Sequence, residues 1–242
     1  MNVLIPMAGL GSRFNGSRFT KPKPLIEIYG KTMIQRAIES LGFEDARHLF
    51  VIRQTDDTPE IIDNLYKICK DPIIQIINKV TEGPASTCLL MEEYIDNDDE
   101  LVIANCDQIM FWDTAKFLYG IRYPEHDGLI VTYTANTDKN SYAKINQQGD
   151  VLQVKEKCVI SDISLNGIHY WRRGADFVSS AKKMIEARDT APNGEYYVGP
   201  TYNYMIKEGK KIGIYHIPNW QHNAVGVPID LERFLKKYYE SL

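Results

Sequence analysis

The chain has 242 residues, 44% of them hydrophobic and 25% charged, and a formal net charge of −4 at pH 7. A chain of this length and apolar content can bury a sizeable core, which favours one soluble α/β domain. Because the charge is small and both signs are mixed along the chain, the composition argues against a protein that coats nucleic acid. No apolar run is long enough to cross a bilayer, so we expect neither nucleic acid nor a membrane as a partner.

The four cysteines are far apart in the sequence and form no C-x-x-C pair: Cys69, Cys88, Cys106 and Cys158. This spacing favours neither a disulfide framework nor a zinc or redox motif. We interpret them as ordinary buried thiols in a reducing compartment. The chain begins directly with a strand pattern rather than a signal peptide, so a cytoplasmic location is expected.

The first half of the chain alternates apolar runs, bounded by turn residues, with amphipathic helical patterns. This alternation is typical of parallel βαβ units. It predicts strands at residues 3–5, 48–52, 73–77 and 101–104, and helices at residues 33–41, 59–70 and 85–94. Thr32 is a suitable N-cap for the first of these helices.

The second half is more mixed and has no evident linker. Its patterns predict strands at residues 129–133, 151–154, 168–171 and 211–217, and helices at residues 175–188, 198–207 and 231–239. Residues 128–156 are compatible with an inserted antiparallel lobe that covers a binding site. The sequence leaves the boundaries of that lobe open.

A glycine-rich loop follows the first strand and leads into a Lys-Pro-Lys-Pro segment. Gly9 and Gly11 allow a tight turn whose N–H groups face an anion, and Arg13, Lys21 and Lys23 supply positive charge. The third glycine of a dinucleotide-binding fingerprint is absent, and so is a G-x-x-x-x-G-K-S/T motif. A solvated polyproline segment is the other interpretation of the lysines and prolines. The combination favours a phosphate-binding loop.

A carboxylate follows the strand predicted at residues 101–104. Asp107 thus lies at the carboxyl edge of the sheet, where open α/β sheets bind ligands. A carboxylate is a ligand that Mg²⁺ prefers, although an aspartate after a strand also commonly caps a turn. With the glycine loop nearby, we favour a magnesium site.

The segments M-A-G-L-G-S-R-F and K-P-K-P-L resemble the signature of the sugar-phosphate nucleotidylyltransferase, or pyrophosphorylase, family and in particular its small capsule-type members. The resemblance extends over most of the chain. It implies a single-domain Rossmann-like fold of the type found in nucleotide-diphospho-sugar transferases, which is GT-A-like. This fold is a three-layer α/β sandwich whose central sheet is mixed but mostly parallel. Residues 1–110 would form the nucleotide-binding half and residues 111–242 the acceptor-binding half.

The resemblance also assigns the nucleotide site. In this family the glycine loop and its arginine grip the triphosphate, and a lysine reaches the α-phosphate, so Arg13 and Lys23 are the expected catalytic residues. A glycine-containing turn holds the base, and Asp107 is the expected ligand of nucleotide-bound Mg²⁺. The expected nucleotide-binding residues are Ala8, Gly9, Leu10, Gly11, Ser12, Arg13, Lys23, Glu82, Gly83, Ala85 and Asp107.

The resemblance places the acceptor site further along the chain. Glu156 is expected to contact acceptor hydroxyls and Lys157 the acceptor phosphate, while Asn166 and Gly167 line the sugar pocket and Glu195 lies near it. Each of these short segments also has a plainer interpretation. A Glu-Lys pair can end a solvated strand, and a turn before aromatic residues can be an ordinary loop.

One position departs from the family pattern. Where the family usually has a second metal-binding aspartate, this chain has Ala224. Asn223, His222 or water can substitute, or Asp107 and the nucleotide phosphates can hold the ion alone, because Mg²⁺ commonly keeps several waters. Imidazole is a poor ligand for Mg²⁺, and a single histidine near a turn is more often structural.

The implied activity is a Mg²⁺-dependent transfer of a nucleotidyl group from a nucleoside triphosphate to a small phosphorylated acceptor, for precursors of capsule or cell-surface polysaccharides. The resemblance favours a pyrimidine nucleotide and leaves the acceptor open between sugar phosphates and phosphorylated alcohols or amides. A homo-oligomer is compatible with it. Two alternatives stay open: a glycosyltransferase of the related fold, although Asp107-Gln108-Ile109 is not an Asp-x-Asp motif, and a non-catalytic nucleotide-binding module.

Overall fold

The structure is a computed structural model that describes residues 1–238. Within them a nine-stranded mixed sheet is accompanied by two small two-stranded sheets. The strands are β1 (Asn2–Met7), β2 (Glu27–Ile28), β3 (Lys31–Thr32), β4 (Arg47–Arg53), β5 (Ile73–Ile77), β6 (Leu101–Ile103), β7 (Gln108–Met110), β8 (Gly128–Thr134), β9 (Ser141–Ile145), β10 (Val151–Glu156), β11 (Ile163–Trp171), β12 (Ile212–His216) and β13 (His222–Ala224). The helices are α1 (Met33–Leu41), α2 (Thr58–Ile68), α3 (Pro84–Leu89), α4 (Glu92–Ile95), α5 (Thr114–Gly120), α6 (Gly174–Glu186), α7 (Tyr202–Lys207) and α8 (Pro228–Tyr238).

Strand β1 lies in the parallel part of the large sheet. It pairs in parallel with β4 on one side and with β6 on the other, and β5 continues the sheet beyond β4. Beyond β6, β11 is antiparallel to both β6 and β8, and β12 is parallel to β8. The β9–β10 hairpin joins the sheet beside the N-terminal part of β11. The predicted α/β fold with a mixed central sheet is confirmed.

Two hydrophobic cores cover opposite faces of this sheet because side chains alternate along each strand. Val3 and Ile5 of β1 pack in one core with residues of α1, α2 and α5. Leu4 packs in the other core with residues of α3, α6 and α7. The sheet is thus the middle layer of a three-layer sandwich, as expected.

The predicted helix at residues 33–41 is confirmed at both ends. Thr32 caps it by accepting a hydrogen bond from the Gln35 N–H at 3.3 Å, and Gly42 ends it in the left-handed region at φ 70°. The helix predicted at 59–70 is α2, which ends at Ile68 because Cys69 is already extended. The last helix begins at Pro228, and its predicted end at residue 239 lies outside the described residues.

Two of the predicted helices are wrong as single elements. The helix predicted at 85–94 is broken into α3 and α4, because the Leu90 and Met91 N–H groups bond three residues back, to Thr87 and Cys88, and Met91 leaves the helical region. The helix predicted at 198–207 is a 3-10 turn, Gly199–Thr201, followed by α7. In both segments the apolar pattern is continuous, but hydrogen bonds to the residue three positions back replace the α-helical ones and interrupt the helix.

The inserted lobe expected at residues 128–156 is only partly present. Strand β8 is a member of the main sheet, where it lies between β11 and β12, so it is not part of an insertion. Only the β9–β10 hairpin extends from that sheet, and it pairs with β11 through Ser164 and Tyr142. The strand predicted at 168–171 is the second half of the longer β11. The buried run of β8 follows from this central position.

Several short elements were not expected from the sequence. The β7–β13 pair, the β2–β3 hairpin and α8 enclose a third hydrophobic core beneath the glycine loop. Phe14 from that loop is buried there beside Ile28 and Phe234. The C-terminal helix therefore supports the N-terminal loop.

None of the described helices is both long and apolar enough to cross a membrane. All four cysteines are free, as expected. Cys69 and Cys88 are buried and Cys106 is half-buried, but Cys158 is exposed, so the expectation of four buried thiols is wrong at that position. Cys158 follows the end of β10, where the chain leaves the hairpin.

Candidate active site

The glycine loop connects the carboxyl end of β1 to a 3-10 turn at Ser12–Phe14. Gly11 adopts a left-handed conformation, φ 63°, which favours glycine. Ala8 is buried, whereas Leu10 is 64% exposed. Because Phe14 anchors the end of the turn in the third core, the exposed part of the loop is held at a fixed place above the sheet edge.

Arg13 projects from this loop and is exposed. It makes no hydrogen bond or ion pair within the described part of the chain. Its charge acts on both Lys23 and Glu195, which belong to the expected nucleotide and acceptor sites respectively. Arg13 is therefore an available cation between the two sites.

Lys23 and Asp107 form an ion pair at the sheet edge. Both side chains are mostly buried, at 20% and 23% exposure. Burial lowers the pKa of Lys23, but the neighbouring Cys106 and Asp107 raise it by more, so the pKa lies above the ordinary value. The Lys23 ammonium is thus fully charged at neutral pH, and the two predicted residues are brought together.

The loop carrying Asp107 is fixed by the chain that follows β13. The Val225 N–H donates to the Asp107 carbonyl at 2.8 Å. A side chain at Gly226 would come within 2.9 Å of the Asp107 Cγ, so only glycine leaves room for the carboxylate. The tight approach of this segment determines where the carboxylate lies.

The position expected to hold a second metal ligand faces the same region as Asp107. Ala224 is exposed and pairs with Gln108 across β7 and β13. His222 is packed against Tyr133, with ring centroids 4.4 Å apart, and burial lowers its pKa to about 4. Its ring is therefore neutral at pH 7, and neither residue offers a carboxylate.

The described residues fit Mg²⁺ only in a nucleotide complex. No group of three or more His, Cys, Asp or Glu side chains that could hold a metal ion occurs in residues 1–238. Mg²⁺ usually binds through one or two carboxylates together with substrate phosphates and water. A single carboxylate at Asp107 satisfies that requirement when phosphates supply other ligands.

The turn expected to hold the base lies against the segment that carries Glu195. Gly83 has φ 135°, and a side chain there would come within 2.5 Å of the Tyr196 carbonyl oxygen. The Ala85 N–H donates to the Tyr196 carbonyl at 3.0 Å, and the Tyr196 N–H donates to the Glu82 carbonyl at 2.8 Å. Because the Ala85 N–H and the Glu82 carbonyl are already paired, a base would have to contact other backbone groups of the turn. The base-binding role of the turn stays a prediction.

Glu156 ends β10 and is buried, 9% exposed. Its carboxylate accepts a hydrogen bond from the Ser141 hydroxyl on the adjacent strand β9. Burial raises the pKa of Glu156 in spite of that hydrogen bond and of the Lys157 charge. A desolvated carboxylate in this position is suited to accepting hydrogen bonds from hydroxyl groups.

Lys157 follows Glu156 in a left-handed conformation, φ 51°, which is uncommon for a residue other than glycine. The Asn140 carbonyl accepts the Lys157 N–H at 3.0 Å and holds the chain in this turn. The Lys157 ammonium donates to the Tyr197 hydroxyl at 2.7 Å and lies 4.9 Å from the centre of that ring. Because the turn interrupts the strand alternation, Glu156 and Lys157 both reach one cleft.

Asn166 and Gly167 form an irregularity in β11. The pairing with β8 shifts between Leu165 and His169, and Gly167 has φ 95°. A side chain at Gly167 would come within 2.9 Å of the Asn105 Cγ, so the glycine lets Asn105 approach β11. The bulge also orders Asn166, whose side-chain oxygen accepts the Ile168 N–H at 2.9 Å. Bulges of this kind often reorient side chains near active sites.

Glu195 is exposed and belongs to a small polar cluster. The Tyr197 hydroxyl donates to its carboxylate at 2.6 Å, and Asn193 donates to it at 2.8 Å. The Tyr197 hydrogen bond lowers the pKa of Glu195. The Tyr197 hydroxyl therefore links the Glu195 carboxylate, to which it donates, with the Lys157 ammonium, from which it accepts.

Two cavities meet at Asp107. The first, of about 900 Å³, borders the glycine loop, the segment from Lys21 to Pro24 and the end of β4. The second, of about 370 Å³, we call the acceptor cleft, and it borders Arg13, Glu156, Lys157, Asn166 and Gly167. Asp107 and Asn105 line both. Two ligands in these cavities would therefore meet beside the Lys23–Asp107 pair.

Several residues of this site were missed from the sequence: Asn105, Tyr133, Asn140, Ser141, His169 and Tyr197 line the acceptor cleft. They are single polar or aromatic residues without a motif. The one available signal was position, since Asn105 and Tyr197 each lie two residues from a predicted site residue.

Comparison with known proteins identifies the family of the chain. Residues 3–144 match the model of the MobA-like NTP transferase domain. Over 96% of its length the chain is 24% identical to the bifunctional protein GlmU of Methanocaldococcus jannaschii, and it spans about half, 52%, of that relative. It is 22% identical to the UTP–glucose-1-phosphate uridylyltransferase AglF of Haloferax volcanii, with 99% of this chain and 97% of the relative covered.

Solved structures show the same fold. A nucleoside-diphosphate-sugar pyrophosphorylase from Vibrio cholerae is 25% identical with a TM-score of 0.82, covering 97% of this chain and 99% of that one. A UDP-glucose pyrophosphorylase complexed with UDP-glucose is 14% identical with a TM-score of 0.77, covering 100% and 99%. The resemblance drawn from the sequence, to nucleotidyltransferases with a nucleotide-diphospho-sugar transferase fold, is thereby confirmed. The chain belongs to the family of MobA-like NTP transferase domains.

Proposed function

We propose that the protein transfers a nucleotidyl group from a nucleoside triphosphate to a small phosphorylated acceptor and releases pyrophosphate. The observation that carries this proposal is the meeting of two cavities at the Lys23–Asp107 pair, one beside the glycine loop and one beside Glu156 and Lys157. Such an arrangement suits a reaction between two anionic ligands, because the cations Arg13, Lys23 and Lys157 border the two cavities.

In the proposed reaction an oxygen of the acceptor phosphate attacks the α-phosphorus of the triphosphate. The new P–O bond forms as the bond between the α-phosphorus and the bridging oxygen breaks, and that oxygen leaves with its electron pair on pyrophosphate. A phosphate acceptor is already ionised near neutral pH, so no protein nucleophile is needed. The protein has to align two anions and offset their repulsion.

Three cationic side chains would contact different phosphate groups. Arg13 has no partner in the described chain and would contact the phosphates of the nucleotide. Lys23 would exchange part of its contact with Asp107 for the α-phosphate, and its raised pKa keeps it charged. Lys157 would exchange the Tyr197 hydroxyl for the acceptor phosphate, since a charged partner forms the stronger hydrogen bond.

Asp107 would hold Mg²⁺ together with nucleotide phosphates. The ion would supply positive charge where negative charge accumulates on the transferred group. Asp107 would bind Lys23 in the free protein and Mg²⁺ in the nucleotide complex. Dependence on Mg²⁺ is part of the proposal.

A pyrimidine nucleotide is the proposed donor. One relative is named for UTP, and a 2-C-methyl-D-erythritol 4-phosphate cytidylyltransferase from Trichodesmium erythraeum is 29% identical over 119 residues, which cover 49% of this chain and 48% of that relative. The proposed acceptor is a sugar phosphate or a phosphorylated polyol. A cytoplasmic role in making capsule or cell-surface polysaccharide precursors stays a prediction.

The test is release of pyrophosphate by the whole protein with Mg²⁺, each of CTP, UTP, dTTP, GTP and ATP, and a panel of phosphorylated acceptors. We expect release that requires both substrates and that Lys23→Ala abolishes or greatly slows. A binding module would instead be stabilised by a triphosphate, by about 2.7 kcal/mol at 100 times its dissociation constant, without any release. That result would contradict the proposal.

A further inference from the structure

The large sheet ends in the strands β5, β10 and β12, and these edges are protected to different degrees. On β10 the Asn203 side chain pairs with the Val154 backbone, accepting its N–H at 2.8 Å and donating to its carbonyl at 2.9 Å. The same strand carries a bulge and the exposed Lys155, and β12 is buried at Ile212 and Gly213. Charges, bulges and covering segments are the usual means by which proteins prevent an edge from pairing with another chain.

Strand β5 lacks these protective features. Its sequence, Ile73-Ile74-Gln75-Ile76-Ile77, contains no charge, and its pairing with β4 is regular. Apart from its contacts with β4, no backbone group of residues 73–77 is hydrogen-bonded to another segment of the described chain. Ile76 is 39% exposed. An apolar edge of this kind readily accepts a further strand.

The direction of the β5 backbone determines which groups are available at this edge. The Ile77 carbonyl accepts a hydrogen bond from the Gln54 N–H at 2.8 Å, so the backbone groups of Ile77 face β4. Because successive residues of a strand direct their backbone groups to opposite sides, those of Ile74 and Ile76 face the open edge. The Ile76 carbonyl accepts only the Gln75 side-chain amide, at 3.3 Å. This edge is therefore a template for one more strand.

The sequence of β5 is symmetric about Gln75, which indicates what that further strand is. When two copies pair antiparallel about a two-fold axis at Gln75, Ile74 of each copy lies opposite Ile76 of the other. Both residues face the open edge, so each such pair exchanges both of its N–H···O bonds. Their side chains form one apolar strip on one face of the sheet, and the two Gln75 amides lie opposite each other on the other face.

The charges that flank β5 fit the same register. Asp71 precedes the strand and Lys79 follows it, four residues from Gln75 on either side. The antiparallel pair therefore brings Asp71 of each copy to Lys79 of the other, whereas a parallel pair would place like charges together. Both side chains are exposed, and neither makes a hydrogen bond or ion pair within residues 1–238. This charge complementarity favours the antiparallel register.

We propose that β5 is the interface of a homodimer in which two copies pair antiparallel about Gln75 and the sheet continues from one copy into the other. The occupant of the edge is a second copy of this chain. Such a two-fold assembly is closed, because it uses the β5 edge of both copies and leaves none for a third. No residue of β5 borders either of the cavities that meet at Asp107, so the inference is independent of the proposed function.

Sedimentation equilibrium of the whole protein over a range of concentrations tests the interface. We expect a dimer, and we expect Ile76→Lys to raise its dissociation constant by about 100-fold or more, because a lysine from each copy enters the apolar strip. Leu152→Lys is the matched control, since Leu152 is 49% exposed on the protected strand β10. Circular dichroism confirms folding of both variants. A monomer at every concentration, a dimer unaffected by Ile76→Lys, or equal loss in both variants would overturn the proposal.

Disulfide formation tests the register with the apolar strip left intact. The Gln75 residues form a non-hydrogen-bonded pair, whose Cα atoms are about 4.5 Å apart, within the range of about 4.4 to 6.8 Å that a disulfide spans. In a Cys158→Ser background, chosen because Cys158 is exposed, Gln75→Cys should form a covalent dimer on mild oxidation. Asn78→Cys is the matched control, since Asn78 is exposed but its two copies lie about 20 Å apart in this register. Equal cross-linking of the two variants, or none with Gln75→Cys, would overturn the proposed pairing.

Discussion

The two sides of the site are built differently. On the nucleotide side, the glycine loop, Arg13 and Lys23 come from one short stretch of sequence, and Lys23 is paired with Asp107. On the acceptor side, the lining residues come from β9, β10, β11 and the segment around Tyr197, which are far apart in the sequence. The proposed phosphate binding thus depends on local backbone and charge, whereas the acceptor cleft depends on the packing of distant strands.

Their electrostatics differ in the same way. The pKa of Lys23 is raised because nearby negative groups outweigh its burial. The pKa values of His169 and His222 are lowered to about 3 and about 4 because burial dominates, and the pKa of Glu156 is raised for the same reason. Charge is stabilised at Lys23 and disfavoured at the buried residues His169, His222 and Glu156. A region that holds a common phosphate group needs charge, and a region that distinguishes neutral groups needs desolvated polar atoms.

The largest expected effect tests the nucleotide side. Lys23→Ala should lower turnover by about 100-fold or more, the scale seen when one transition-state donor is removed. Pyrophosphate release under saturating substrates measures it, with circular dichroism to confirm folding. Lys67→Ala is the matched control, because Lys67 is exposed near the end of α2 and borders neither cavity. Near-normal turnover of folded Lys23→Ala would contradict the role of Lys23.

The next effect compares the two residues that meet on the acceptor side. Lys157→Ala should raise KM for the acceptor by about 10- to 100-fold, because a charged hydrogen bond to phosphate is lost. Tyr197→Phe removes the 2.7 Å hydrogen bond but keeps the ring beside the ammonium, so we expect a change of about threefold or less. Steady-state kinetics with each substrate varied distinguish them. Equal effects of the two changes would show that Lys157 acts mainly through Tyr197.

A smaller effect is expected where the two sides meet. Ala224→Asp adds a carboxylate on the strand that borders Asp107, and more negative ligand charge tightens divalent binding, here by about tenfold. Mn²⁺ titration in the presence of the nucleotide, followed by electron paramagnetic resonance, measures it without turnover. Ala224→Asn is the matched control for size. Unchanged affinity in Ala224→Asp would place the ion away from Ala224.

The smallest effect at neutral pH concerns stability alone. Burial lowers the pKa of His169 from 6.5 to about 3, so below pH 6.5 the unfolded chain binds a proton that the folded chain does not. This residue should therefore reduce stability as the pH falls from 6.5 towards 3, by about 1.4 kcal/mol per pH unit. Urea unfolding of His169→Phe between pH 7 and pH 4 should show a shallower loss than the natural protein. Parallel curves would show that His169 is protonated in the fold.

Patterns in the sequence predicted the parallel half of the sheet well. Strands β1, β4 and β6 are apolar runs that are largely buried on both faces, and β5 is an apolar run that is partly exposed. Helix α1 has a capping threonine and a terminal glycine. The second half of the chain was harder to predict because its strands pair in both parallel and antiparallel directions. The apolar run of β8 belongs to the main sheet, and no local signal distinguished that position from an inserted lobe.

The sequence by itself determined the family, and it predicted the phosphate-binding loop and the site residues Lys23, Asp107, Glu156 and Lys157, because these features lie in contiguous motifs with backbone or charge requirements. Only the tertiary structure decided that Gly226 and Gly167 leave room for Asp107 and Asn105, and that His169 is unpaired at the acceptor cleft. Such relations depend on contacts between segments far apart in the chain. Local propensity carries no information about them, since each residue alone is compatible with many environments.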